Sequence, residues 1–245
     1  MHFVLDVHCH TVNSGHGYST INENAAHAAS IGLTHIGISD HAPGMPGGPH
    51  INNFLNLRTL PDVIHGIRVF KGVECNIIDY DGNIDMEESV LKQMDFVIAS
   101  LHRSVILPKD RAVNTRGIIL AMEKTPYMHI LGHPGDACYD VDMKAVIDAA
   151  ARTRTIIEIN NQSLVPDSDR FRGEETFIKM LELCKEYRVP VLASSDAHFC
   201  TNVGNLDRAK AVIEAAGMPE NLVLNTCAEK FLNAIVVQTE KKVER

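Results

Sequence analysis

Tryptophan is absent from the 245 residues, and aromatic side chains make up only 5% of them. A protein that grips single-stranded nucleic acid on stacked rings has little to build with here. Positive charge is also short: 23 Lys and Arg stand against 31 Asp and Glu, a net charge of −8. That balance argues against a surface made for long nucleic acid, while leaving room for a local patch that holds one or two phosphates. The six cysteines, at 9, 75, 138, 184, 200 and 227, are scattered, several inside apolar runs, and read as reduced thiols rather than a disulfide framework. No uninterrupted apolar run approaches the ~18 residues of a membrane span. The chain opens on His2-Phe3-Val4-Leu5, without a basic region and apolar segment ahead of a cleavage site, so the expectation is a cytoplasmic protein.

Histidine, by contrast, is plentiful at 13 residues, and its placement says more than its number. Leu5-Asp6-Val7-His8-Cys9-His10 is a short apolar strand ending in two histidines one residue apart. Alternation puts residues i and i+2 on one face, so His8 and His10 point at a common centre and Cys9 points away into packing. Further candidates each follow an apolar strand: Asp40-His41 after Ile36-Gly37-Ile38, Glu74 after Val73, His102 after Val97-Ile98-Ala99, His133 after Ile130-Leu131, and Asp196-Ala197-His198 after Val191-Leu192-Ala193. His16 lies in the loop after the first strand. One end of a parallel barrel would gather all of these.

The remaining pattern agrees with a barrel. Thr20-Ile21-Asn22-Glu23 is a capping box that opens a helix. Asp142 caps a helix whose Met143, Val146, Ile147 and Ala150 share a face, and 174–187 buries Phe177, Met180, Leu181 and Cys184 at the same spacing. Helices are also expected over 54–65 and 116–124, with a second capping box at Thr226–Glu229 opening the last helix. Seven strands alternating with helices predict a single α/β domain over residues 1–245, a parallel barrel one strand short of the common eight, with a frayed polar tail at 238–245.

Imidazole and carboxylate together suit zinc, with manganese or iron as alternatives at one or more sites. Nine candidate ligands, His8, His10, His16, His41, Glu74, His102, His133, Asp196 and His198, exceed one tetrahedral ion, so two or three ions fit better. A carboxylate such as Glu74 can bridge two ions about 3.5–4 Å apart. Asp6 and Asp40 are candidates to orient ligands from behind, and Glu158 is a candidate internal hydrogen-bonded carboxylate. His2, His27, His35, His50, His65 and His129 carry no expected role. Lys109, Arg111, Arg170 and Arg172 read as solvated loop charges.

The ordered motifs His8-x-His10, Ser39-Asp40-His41, Gly72-Val73-Glu74, Ala99-Ser100-Leu101-His102-Arg103, Leu131-Gly132-His133-Pro134 and Ser194-Ser195-Asp196-Ala197-His198 resemble the polymerase and histidinol phosphatase (PHP) superfamily, and within it the YcdX-type phosphatases. The resemblance implies a distorted seven-stranded (β/α)7 barrel, a trinuclear zinc site, phosphatase activity on a small phosphorylated substrate and a homotrimer. It would give one ion to His8, His10, Glu74 and Asp196, a second to Glu74, His102 and His133, and a third to His16, His41 and His198. On this arrangement a metal-activated hydroxide attacks phosphorus, and Glu74, Asp196 and Arg103 are the expected catalytic residues, Arg103 clamping the phosphate. The competing readings are a phosphodiesterase or 3′ to 5′ exonuclease of the same superfamily, a metal-dependent amidohydrolase, and a metal-binding protein without catalysis.

Overall fold

Short β-branched segments, each followed by an amphipathic stretch, fold as alternating strands and helices. The structure, a computed structural model, describes residues 1–243, with side chains through Thr239. In chain order the elements are β1 (Leu5–Asp6), α1 (Ile21–Ser30), β2 (His35–Ile38), α2 (Asn52–Asn56), β3 (Val63–Ile64), β4 (Ile67–Asn76), α3 (Glu88–Leu91), β5 (Phe96–Ser100), α4 (Arg111–Lys124), β6 (Ile130–Leu131), α5 (Met143–Thr153), β7 (Ile156–Asn160), α6 (Glu174–Tyr187), β8 (Val191–Ser194), α7 (Asp207–Ala215) and α8 (Ala228–Val243). Seven strands run parallel in the order β1-β2-β4-β5-β6-β7-β8, and β3 is an antiparallel flap on β4. The result is one α/β domain, a nearly closed, distorted (β/α)7 barrel.

Closure between the last and first strands is made by few bonds. Near the top, His10 N donates to Ala197 O at 2.8 Å and Ala197 N to His8 O at 3.3 Å. Lower down the Asn225 side chain also spans the seam. Asn225 accepts from Ala193 N at 2.7 Å and donates to Ala193 O at 2.8 Å and to Leu5 O at 3.1 Å.

Alternation along the strands then builds layers inside the barrel. Leu5, Phe70, Phe96, Ile130, Ile156 and Leu192, one from each parallel strand except β2, pack with Phe231 of α8, so that α8 plugs the N-terminal end. The share of β2 is taken by Phe96. A Cβ at Gly37 would stand 2.7 Å from its ring, so only glycine fits there. Further along the same strands the inward residues turn polar: Glu74 and Asn76 on β4, Ser100 on β5, Glu158 and Asn160 on β7, Ser194 on β8, all fully or almost fully buried. Apolar floor and polar ceiling therefore come from one alternating pattern.

Several expectations hold at the level of single bonds. The Thr20–Glu23 capping box is present in both directions, and Asp142 accepts from Ala145 N. Others are corrected. The stretch 54–65 is helical only to Asn56, with a 3-10 turn to Thr59. Leu60, which precedes Pro61, is extended, and the chain then enters β3. Helix α4 begins at Arg111 because Asp110 caps it, accepting from Val113 N. Thr226 does not cap α8; its hydroxyl donates to Val223 O and accepts from Lys230 Nζ. The tail expected to fray from Gln238 continues as helix to Val243, with Gln238 buried and donating to Met128 O, while residues 244–245 lie outside the described residues.

Candidate functional site

The C-terminal ends of the strands converge on a buried cluster of histidines and carboxylates, beside a cleft of about 260 Å³. Parallel strands point all their C-terminal ends one way, which explains why residues scattered from 8 to 198 meet there. Glu74, fully buried at the end of β4, sits at the centre. Its Oε2 lies 3.3 Å from His8 Nε2, 3.6 Å from His10 Nε2 and 2.8 Å from His41 Nδ1. Its Oε1 lies 3.2 Å from His102 Nε2 and 3.1 Å from His133 Nε2, which are 3.2 Å from each other. The two oxygens of one carboxylate thus face two different histidine groups.

Asp196 Oδ1 joins the first group, 3.1 Å from His10 Nε2 and 3.6 Å from His8 Nε2; those two nitrogens are themselves 3.1 Å apart. His198 stacks on His10 with ring centroids 4.2 Å apart. His16 is exposed on its loop and stacks on His41 at 5.0 Å and on His198 at 4.7 Å. Three donor triads are tight, with all atoms within 4.8 Å of one another: His10–His41–His198, His8–His10–Glu74 and His41–Glu74–His102. His16 belongs to none of them.

These residues fit a divalent metal on two grounds. A tetrahedral ion with bonds of about 2.0–2.1 Å separates its ligand atoms by about 3.3–3.4 Å. The spacings of 3.1–3.6 Å from Glu74 and Asp196 to His8, His10, His102 and His133 match that edge, while His41 Nδ1 stands closer to Glu74 Oε2, at 2.8 Å. In addition, His198 Nε2 is buried without a hydrogen-bond partner, and His41 Nδ1 and Glu74 Oε2, though 2.8 Å apart, are buried and make no well-formed hydrogen bond, a costly state for polar atoms unless something else binds them.

The nitrogens facing away from the cluster are held from behind. His8 Nδ1 donates to Glu158 Oε1 at 2.6 Å, and Glu158 Oε2 accepts from His133 N at 2.6 Å, fixing a backbone with φ of 31°. His10 Nδ1 donates to Ser14 Oγ at 3.0 Å, and Ser14 Oγ in turn donates to Asp40 at 2.7 Å. His102 Nδ1 donates to Asn76 Oδ1 at 2.7 Å, and His133 Nδ1 lies 3.2 Å from Asp136 Oδ2. Each such bond sets a tautomer that leaves the other nitrogen's lone pair free. Asp6 faces elsewhere: it accepts from His8 N, Ser195 N and Gly204 N and so braces the barrel seam.

Charge follows this geometry. Burial disfavours the Glu74 carboxylate, but His8, His102 and His41 hold its pKa well below the usual range. Asp196 is held down in the same way by His8, Arg170 and His10. Burial lowers His102 to about 4, against the pull of Glu74. His133, despite burial, is pushed up to about 9, chiefly by Asp136.

Of the expected phosphate ligands, Arg103 is exposed and lines the cleft. Arg170 corrects its assignment as a solvated charge. Its Nε donates to Asp136 Oδ2 at 2.8 Å and its Nη1 to Asp196 Oδ2 at 2.7 Å, while Nη2 is buried without a partner and the side chain lines the cleft. Asp136, Ser14 and Asn76 were also missed. Asn76 had a signal, since it lies two residues beyond Glu74 and so on the same strand face. Arg170 sits in an irregular loop where no spacing marks it.

The sequence matches the PHP domain family over residues 6–164. It is 47% identical over 232 residues to a probable phosphatase of Caldanaerobacter subterraneus subsp. tengcongensis, covering 94% of this chain and 90% of that protein. It is 40% identical over 232 residues to a probable phosphatase of Clostridium novyi, covering 95% and 94%. The fold is similar to that of the histidinol phosphate phosphatase of Lactococcus lactis subsp. lactis, solved with zinc, L-histidinol and phosphate, at TM-score 0.60 and 17% identity over 88% of this chain and 94% of that one. A family match across well over half of the chain, with relatives aligned over nearly all of it, identifies this chain as a member of the PHP-domain family.

Proposed function

We propose that the chain is a metal-dependent phosphatase that hydrolyses a small phosphomonoester at a trinuclear zinc site. The observation that carries this reading is Glu74, whose two buried oxygens face two separate donor groups at ligand-edge spacing. His8, His10, Glu74 and Asp196 would hold one ion, Glu74, His102 and His133 a second, and His41 and His198 with His16 a third. Bound divalent ions supply Lewis-acid charge for a phosphoryl oxygen and bring the pKa of water into the neutral range.

The chain's own residues supply the rest. Arg103, on the loop after β5, presents a guanidinium fork suited to non-bridging phosphate oxygens, and Arg170, on the loop after β7, has Nη2 left to offer once Nε and Nη1 are bound to Asp136 and Asp196. Glu74 and Asp196, both held ionised, keep the donor set anionic, and Glu158, Asp136 and Asn76 keep the imidazoles aimed. A cleft of about 260 Å³ lies at the lower end of small-ligand pockets and favours a compact monoester over a polymer. We extend the same reading to a homotrimer, which sedimentation velocity checks directly.

The test is phosphate release by metal-loaded and chelated protein from a panel of phosphomonoesters, matched diesters and short oligonucleotides. Metal-dependent release from monoesters alone is the expected result. Diester cleavage would replace this reading with a phosphodiesterase, and no hydrolysis by fully loaded protein would leave metal binding without catalysis.

A further inference from the structure

Behind His102 stands a carboxylate that does not touch the cluster. Asn76 receives His102 Nδ1–H on its Oδ1 at 2.7 Å, and its Nδ2 donates to Asp85 Oδ2 at 2.5 Å. Asn76 N donates to the other oxygen, Asp85 Oδ1, at 2.7 Å, and Asp85 N returns a bond to Asn76 O at 3.2 Å. Asp85 Oδ2 also accepts from Gly44 N at 2.7 Å. A Cβ at Gly44 would stand 2.5 Å from that same oxygen, so the approach requires glycine.

An amide side chain can present either its oxygen or its nitrogen to a neighbour, and the surrounding network decides which. Here both Asp85 oxygens act as acceptors, from Asn76 N, Asn76 Nδ2 and Gly44 N. Asp85 takes the Asn76 Nδ2 and thereby turns Oδ1 toward His102. An acceptor at that place demands the Nδ1–H tautomer, which leaves the lone pair on Nε2, the atom 3.2 Å from Glu74 Oε1 and from His133 Nε2. With Asn76 reversed, two donors would face each other and the ring would be driven to the other tautomer. We propose that Asp85 is a positioning residue for His102, acting through the Asn76 amide, and that its bond to Gly44 joins the Pro43–Pro49 loop to the same arm. The inference rests on the proposed metal site in taking His102 Nε2 as a donor atom, but it concerns an orientation set before any ion arrives.

Two readouts test it. Proton–nitrogen NMR of the metal-free protein should show His102 in the Nδ1–H form, and cobalt titration followed by absorption reports affinity and geometry without turnover. Asp85→Asn should mix the tautomers and weaken cobalt binding roughly ten- to a hundredfold. The exchanged pair, Asn76→Asp with Asp85→Asn, places the carboxylate directly under His102 and should restore the Nδ1–H tautomer and part of the cobalt affinity, the amide nitrogen at position 85 now facing Gly44 N–H. Gly44→Ala, which displaces the carboxylate without altering its charge, should weaken binding in the same direction and serves if Asp85→Asn fails to fold. Wild-type affinity in Asp85→Asn or Gly44→Ala, an Nε2–H tautomer in the parent protein, or a folded exchanged pair that restores nothing would each overturn the proposal. Intact cobalt binding with these effects but no phosphate release would overturn the phosphatase reading and leave this one standing.

Discussion

Arg170 Nη1 donates to Asp196 Oδ2 across 2.7 Å, so one oxygen of that carboxylate is committed to the guanidinium while the other faces His10 at 3.1 Å. The same guanidinium holds Asp136, which stands behind His133. One cation therefore orients carboxylates in two parts of the cluster. Arg170→Ala should leave Asp136 and Asp196 with histidines as their only cationic partners and cost about 3 kcal/mol of unfolding free energy, the low end for a broken buried pair. Urea unfolding measures this, and phosphate release should fall at least about tenfold. A variant as stable and active as the parent would remove Arg170 from the site.

Glu74→Gln keeps the shape of the central side chain but removes its charge and replaces one acceptor by a donor. Turnover should be abolished and the metal content per chain, read by elemental analysis, should fall, while the melting temperature of metal-free protein changes little. Near-parental phosphate release would rule out the central role of this residue.

Protonation in the metal-free cluster has a defined sign. Burial opposes charge on His133 and His8, but Asp136 raises the first to about 9, and Glu158, Glu74 and Asp196 raise the second well above the usual histidine value. His133 is then a charged imidazolium at neutral pH, and His8 is shifted in the same direction. For His133 the resulting stability is fully present below the ordinary value of about 6.5 and is lost as pH rises through about 9. A metal requires neutral imidazole, so binding must expel the His133 proton and tighten as pH rises. Titration calorimetry near pH 7 in two buffers of different ionisation heat should show at least one proton released per chain; equal apparent heats would contradict it.

Glu158 accepts from His8 Nδ1, His133 N, Ser194 Oγ and Asn160 Nδ2. Glu158→Gln has one oxygen for donors that now use two, leaving a buried donor unmet at a cost of about 1–3 kcal/mol. Thermal unfolding should register that loss, and zinc affinity should fall roughly ten- to a hundredfold as His8 loses its anion. Unchanged affinity would mean that the orientation of His8 is set elsewhere.

The strand-end histidines were legible because a parallel barrel turns sequence order into spatial convergence. His8, His10, Glu74, His102, His133 and Asp196 each follow an apolar run, and those runs are the barrel's strands. Helix caps at Thr20 and Asp142 were legible because their partners lie three residues away. What was not legible depends on distant partners or on local vetoes. Arg170 gains its place only from Asp136 and Asp196, far off in sequence. The helix expected through His65 stops short because Pro61 forces its predecessor out of helical geometry, while Asp110 lengthens α4 beyond the visible periodicity. Gln238 is polar by composition yet buried, because Met128 O waits for its amide.

The barrel's seam also orders events in time. His10 lies beyond the end of the first strand and Asp196 just beyond the last, and the seam between them depends on Asn225 and on Phe231 sealing the floor from α8. A chain emerging from the ribosome carries half of the cluster from its first moments, but it meets the other half only when nearly all of the protein has been made. Premature termination before α8 thus leaves every residue of the cluster in the chain but a barrel without its floor. The packing of Phe231 on Phe70 and Phe96 becomes a late event that follows synthesis of every strand.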